Sequence, residues 1–163
     1  MKHCTHRVVI ACVVLIVAMR SSSVLAKDFS ISLGSDVEPI VAGVAAGDSL
    51  VVSNGTWKNA ELKFERRSGT ADAPIHIRAE SAGKVVFTGR SLLRLSGTHV
   101  IVSGFVFRDI SGVSDVVELR SHSERHSHNC RLTDCVFAQT PDSQIGNDSR
   151  WFSVYGTRNR IDH

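Results

Sequence analysis

From Leu50 onward the chain alternates short apolar stretches with Gly, Asn, Asp and Ser. That pattern predicts short strands at Leu50–Val52, Leu62–Glu65, Ile75–Ala79, Val85–Phe87, Leu92–Leu95, Val100–Phe107, Val116–Arg120, Cys130–Phe137, Trp151–Tyr155 and Arg160–Asp162. One short helix precedes them. Ile40, Val41 and Val44 fall at i, i+1 and i+4, Pro39 sits in the first turn, Glu38 or Ser35 can cap the start, and Gly47 ends it. No second helix of useful length is predicted.

The strands repeat. Leu93-Arg94-Leu95, Val117-Glu118-Leu119 and Phe152-Ser153-Val154 share an apolar–polar–apolar pattern, and each is followed by a second strand. Aligning Val102, Leu132 and Ile161 in those second strands gives a repeat of about 30 residues, the length of stacked units that cannot bury their apolar faces alone. Units built of strands without helices point to an all-β fold, a right-handed parallel β-helix, with the short helix covering its open end. An immunoglobulin-like sandwich would instead show antiparallel hairpin turns at shorter intervals.

If the apolar members of each triplet point inward, Arg94, Glu118 and Ser153 form one outward file, and Ser96, Arg120 and Tyr155 the next. Such a ladder offers a track for a linear polymer, with Arg94, Glu118, Arg120 and Tyr155 as the candidate substrate-binding residues. A solvated face laced with weak ion pairs is the competing expectation. From Lys27 onward there are 12 Arg and 4 Lys. Arginine's planar fork suits carboxylates and sulfates better than an ammonium does.

Length and charge refine the picture. The chain has 163 residues, of which 42% are hydrophobic and 21% charged, a composition that folds. Its net charge of +3 comes from Lys2, Arg7 and Arg20; the chain from Lys27 on carries 16 basic and 16 acidic residues. Nucleic-acid binding through bulk charge is therefore not expected. Met1–Arg7 is basic, Val8–Met19 is an apolar run of 12 residues, and Arg20–Ala26 ends in small or aliphatic residues. This is the pattern of a signal peptide over 1–26, too short for the roughly 20 residues of a membrane span. The expected product is a periplasmic or secreted β-helix domain over 27–163, monomeric and free of the membrane once the signal is cleaved. Cys4 and Cys12 leave with the signal. Cys130 and Cys135 lie roughly 16 Å apart along an extended strand, beyond the ~7 Å reach of a disulfide, and are expected to be packing thiols.

Other chemistry is thinner. His122, Glu124, His126 and His128 have a spacing that could gather imidazoles around a metal, but a solvent-exposed turn is favoured. Asn54-Gly55-Thr56 and Asn147-Asp148-Ser149 match glycosylation sequons, and Asn54-Gly55 is better taken as a tight turn. Trp151 and Phe152 could stack on sugars, although core packing is expected of at least one.

Several runs together resemble a known family. Asn54-Gly55-Thr56-Trp57, Pro74-Ile75-His76-Ile77-Arg78-Ala79-Glu80 and Gly83-Lys84-Val85-Val86-Phe87-Thr88-Gly89 are similar to the start of polysaccharide lyase family 6, the alginate lyases and their chondroitinase B relatives. Leu93-Arg94-Leu95-Ser96-Gly97, Asn129–Phe137, Tyr155-Gly156 and Asn159–His163 look like successive coils of the same proteins. The resemblance covers about residues 47 to 163. It implies β-elimination on a uronic-acid polymer such as alginate, poly-mannuronate or a dermatan or chondroitin-type chain. It also implies calcium neutralising the substrate carboxylate, a Lys base and an assisting Arg. The family's segments for those roles (Asn-Gly-Gly-Glu, Glu-x-Glu, Lys-Ser and Leu-Arg-His-Gly) do not occur here, so no catalytic or metal-binding residue is assigned. The expectation is an N-terminal piece of a secreted lyase, inactive alone, whose calcium ligands lie beyond His163. A non-catalytic carbohydrate-binding or adhesive β-helix, or a glycan hydrolase on the same scaffold, are the alternatives.

Overall fold

The computed structural model describes residues 25–140 and 149–163. Of the signal segment, residues 1–24 lie outside the described residues, as do Asn147 and Asp148 of the second sequon.

Alternating strands joined by tight corners wind into a parallel β-helix. β1 (Asp28–Ile31) and α1 (Val37–Gly43) precede the coils. The first coil holds β2 (Ser49–Val52), β3 (Gly55–Lys58) and β4 (Glu61–Phe64); the second holds β5 (Ile75–Ala79), β6 (Val85–Gly89), β7 (Leu92–Leu95) and β8 (Gly97–Thr98). The third holds β9 (Val100–Ser103), β10 (Phe105–Ile110), β11 (Asp115–Glu118), β12 (Arg120–His122) and β13 (Arg125–His128). The fourth holds β14 (Arg131–Thr133), β15 (Val136–Ala138), β16 (Arg150–Ser153) and β17 (Gly156–Thr157), and β18 (Arg160–Ile161) follows. Strands stack into a first sheet β1-β2-β5-β9-β14-β18, a second β15-β10-β6-β3 and a third β16-β11-β7-β4.

Register aligns Leu50, Ile77, Val102, Leu132 and Ile161 in one file of the first sheet. The repeat inferred from sequence is that file. Stacking in these sheets is parallel, and among the described strands only β12 and β13 pair antiparallel, so the sandwich alternative fails.

The interior is filled by like residues on like residues. On the second sheet Trp57, Phe87, Phe107 and Phe137 occupy one register file. Phe87 stacks on Phe107 at 5.1 Å and Phe107 on Phe137 at 5.0 Å, while Phe105 meets Phe87 and Phe107 edge-on. Buried aromatic and aliphatic side chains each contribute about 1.5–3 kcal/mol through removal from water.

Corners explain where the sequence-based strands were too long. Val100–Phe107 is two strands because Gly104 turns the chain at φ 82°; Cys130–Phe137 splits at Asp134, φ 52°. These two positions are aligned on neighbouring coils, each one residue past the paired Ser103 and Thr133. Asn59 and Gly89 share a second left-handed file at the next corner, and Asp109 is left-handed beside it, in a bulge that sets Ile110 opposite Gly89. There the Asn59 side chain accepts the Arg90 amide at 2.9 Å, and Asp109 accepts the Thr140 amide at 2.8 Å. Asn and Asp tolerate this conformation and bond local backbone, which is why they stand at such turns.

The helix ends and the coil lengths also differ from the sequence-based expectation, while the cysteines agree with it. Asp36, neither Ser35 nor Glu38, caps α1, accepting the Glu38 amide; the helix stops at Gly43, before Gly47. Its Val41 and Val44 join the core as expected. Leu93 aligns with Val117 while Val102 aligns with Leu132, so the second step is the longer by six positions. That excess is the β12–β13 hairpin, which juts from the third coil. Cys130 is buried and Cys135 half-buried, and both thiols are free.

Candidate functional site

The third sheet carries the polar file that alternation predicts. Register sets Lys63 beside Arg94, Arg94 beside Glu118 and Glu118 beside Ser153, about 4.8 Å apart from coil to coil. Glu118 lies at its centre. Arg94 Nε donates to one carboxylate oxygen at 3.1 Å, and Arg120 Nε donates to the other at 2.7 Å. Arg94 also reaches Glu61 at 3.4 Å, and Lys63 pairs with Glu61 at 3.0 Å. The Arg120 guanidinium lies 3.8 Å over the Tyr155 ring, and that ring stacks on His126 with centroids 5.9 Å apart. Arg94, Glu118, Arg120 and Tyr155 thus form one connected group, although three successive coils contribute to it.

Burial changes two members. Glu118 is only 9% exposed, so on the outer face it is a covered clamp that fixes two guanidiniums by their Nε edges rather than a solvated rung. Ser153 is also buried, its hydroxyl donating to the Asp115 carboxylate. Ser96 does not share a file with Arg120. It is buried and hydrogen-bonds Ser121 at 2.8 Å, because Arg120 has already left the coil for the hairpin. Val154, expected inward, is half-exposed past the end of β16. Trp151 and Phe152 pack against Phe137 and the core.

Electrostatics match the geometry. The bond to Glu118 raises the Arg120 pKa further above its ordinary value. Beside it, Arg150 donates to Asp115 at 2.8 Å. Burial pushes the Asp115 carboxyl up, but hydrogen bonds from Arg150 and Ser153 outweigh it and hold the group below the usual carboxylate range. Glu61, Lys63, Asp115, Arg150 and His126 were not singled out from sequence as members of this group. Lys63 was legible, since Leu62-Lys63-Phe64 repeats the apolar–polar–apolar triplet one coil earlier.

The histidines of the hairpin go separate ways. His122 Nδ1 meets the Ser123 hydroxyl, His126 Nε2 the Ser123 carbonyl at 2.8 Å, and His128 Nδ1 the Thr157 hydroxyl at 3.0 Å. Among the described residues no group of three or more His, Cys, Asp or Glu could hold a metal ion. Glu61, Glu118 and Asp115 on this face are held by cations, as is Asp162 just past β18. The described residues therefore do not fit the calcium that the family resemblance implies.

Nε contacts hold Arg120 and Arg94 edge-on, so among the described residues both terminal nitrogens of Arg120, and one of Arg94, have no partner. A rigid guanidinium with free terminal N–H groups is suited to a planar carboxylate.

Comparison with known proteins agrees with the architecture. The family model for chondroitinase B matches residues 31–163. Two structures of the PL6 family alginate lyase AlyGC superpose with TM-scores of 0.75 and 0.74, at 33% and 32% identity over 83% and 82% of this chain. A mannuronic acid specific polysaccharide family 6 lyase from human gut microbiota matches with a TM-score of 0.67 and 26% identity over 84% of this chain. This chain spans 19% and 18% of the two AlyGC chains and 33% of the gut lyase. No curated protein sequence matches it.

Proposed function

We propose that this chain, which belongs to the chondroitinase B family, supplies the N-terminal coils of a secreted lyase that cleaves a uronic-acid polymer by β-elimination, and that its third sheet holds the polymer. Elimination removes the proton on the carbon beside the sugar carboxylate, which resists until that carboxylate is neutralised. Calcium and a base would supply that chemistry from residues other than the described ones. The part taken by these coils is to bind and align. Arg94 and Arg120 offer terminal N–H groups to successive sugar carboxylates, Glu118 fixes their direction, and the Arg120 guanidinium rests over the Tyr155 ring.

The observation that carries this assignment is the Arg94–Glu118–Arg120–Tyr155 group on a scaffold similar to alginate lyases. Affinity electrophoresis of the 163-residue chain through gels containing alginate, poly-mannuronate or dermatan sulfate tests it. Retardation by at least one polymer, lost in the Arg94→Ala/Arg120→Ala double variant, is the expected result. Retardation that the double variant leaves unchanged would make the ladder structural. Release of ultraviolet-absorbing unsaturated uronate by the chain alone would refute the restriction of these coils to binding.

A further inference from the structure

A second polar site lies at the capped end of the solenoid. Between α1 and the corner after β4 is a cleft of about 760 Å³, within the roughly 300–1,000 Å³ of small-ligand sites. The corner contributes Glu65, Arg66 and Arg67, and the helix side contributes Asp36 and Glu38. Among the described residues, Arg66, Arg67, Glu38 and Glu65 take part in no ion pair. Arginines of the ladder, by contrast, are compensated by Glu61, Glu118 and Asp115.

The corner is built with a strained residue. Arg66 has φ 59°, and the residue after it, Arg67, lies against Gly97 of the next coil, φ 146°. Arg66 thus places a long cation in a conformation that non-glycine residues seldom adopt. Strain of this kind collects where a side chain must be held in place for binding. The corner is also tightly packed: a Cβ on Gly97 would lie 2.0 Å from the Arg67 carbonyl, so the two coils are in close backbone contact there. Glu61 and Lys63 line the same cleft, and Glu61 bonds Arg94, so the cleft opens onto the ladder.

We infer that this cleft is a further saccharide subsite, taking one carboxylated, unsulfated uronate unit. The inference rests on the proposal above that these coils bind a uronan. Arg66 and Arg67 take the carboxylate; Asp36, Glu38 and Glu65 accept sugar hydroxyls. The mixture of signs selects the ligand. Four carboxylates, Asp36, Glu38, Glu61 and Glu65, repel a multiply charged group such as a sulfated sugar. A ring with one carboxylate and several hydroxyls satisfies both kinds of wall.

The test is calorimetric titration of the 163-residue chain with short oligomannuronates and with sulfated dermatan oligosaccharides. Arg66→Gly is the decisive variant, because glycine suits the backbone and the change deletes only the guanidinium. It should unfold at the same temperature as the parent or higher, and bind oligomannuronate about tenfold more weakly. Arg66→Ala/Arg67→Ala should lose at least as much, and sulfated oligosaccharides should bind more weakly than oligomannuronate throughout. Unchanged oligomannuronate affinity in both variants would overturn the subsite. If Arg94→Ala/Arg120→Ala still abolished polymer retardation, the ladder would stand without the cleft. A parent chain that binds neither oligomer nor polymer would remove both.

Discussion

Glu118→Gln keeps the shape of the clamp and removes its charge. The carboxylate makes two charge-assisted bonds, 3.1 Å to Arg94 and 2.7 Å to Arg120, and its own side chain is 12% exposed. A buried bond to a charged group contributes about 1.5–3 kcal/mol. Here both arginines are about a third exposed, at 38% and 32%, which draws each bond toward the ~1 kcal/mol ceiling of surface pairs. The sum is about 2 kcal/mol, or a fall in Tm of about 4–8 °C for a chain of this size. Thermal unfolding by far-ultraviolet circular dichroism measures it. A double-mutant cycle with Arg120→Ala should return a coupling of about 1 kcal/mol. The clamp would be refuted by an unchanged Tm together with a coupling inside the ~0.3 kcal/mol scatter of independent sites.

Phe87→Ala removes the ring that contacts Trp57, Phe105 and Phe107, and should cost about 3–5 kcal/mol in urea unfolding. A loss below about 1.5 kcal/mol, the scale of a volume-conserving swap, would contradict the aromatic stack. Because Asp115 has a carboxyl pKa lowered in the folded state, its contribution is present above the unfolded value near 3.9 and is lost as pH falls through the folded one. Asp115→Asn should therefore flatten the acid limb of Tm against pH, and a limb of unchanged slope would deny the Arg150 pairing its role. Burial pushes the Cys135 thiol up to about 11. It should stay unmodified by a thiol reagent at neutral pH until the chain unfolds, and fast labelling of native protein would contradict that environment.

Inward chemistry was legible because it is local and periodic. Leu93 and Leu95, or Val117 and Leu119, declare their side of the sheet through alternation alone, and the Val102–Leu132–Ile161 spacing declares the stacking. Corners were not legible by that route. Val100–Phe107 is apolar on both sides of Gly104, so a period of two passes through the turn without registering it. A different signal was present. The Leu93-to-Val117 step is shorter than the neighbouring Val102-to-Leu132 step, so the two cannot belong to one uniform coil, and the hairpin is the difference.

Outward chemistry has the opposite character. Alternation puts Glu118 on the outer face, which is correct, and makes it exposed, which is not. What covers it are side chains from elsewhere: Arg94, from the preceding coil, and Arg120, which has left its own. Whether a polar file on a solenoid is a solvated surface or an organised site depends on the coil-to-coil register and on where insertions fall. Arg120 illustrates the point. Without the hairpin insertion it would continue the coil beside Ser96; with it, the guanidinium is held between Glu118 and the Tyr155 ring. A shortened hairpin that returned Arg120 to the coil should therefore lose polymer retardation while the aromatic core, which shares no residue with it, keeps its register.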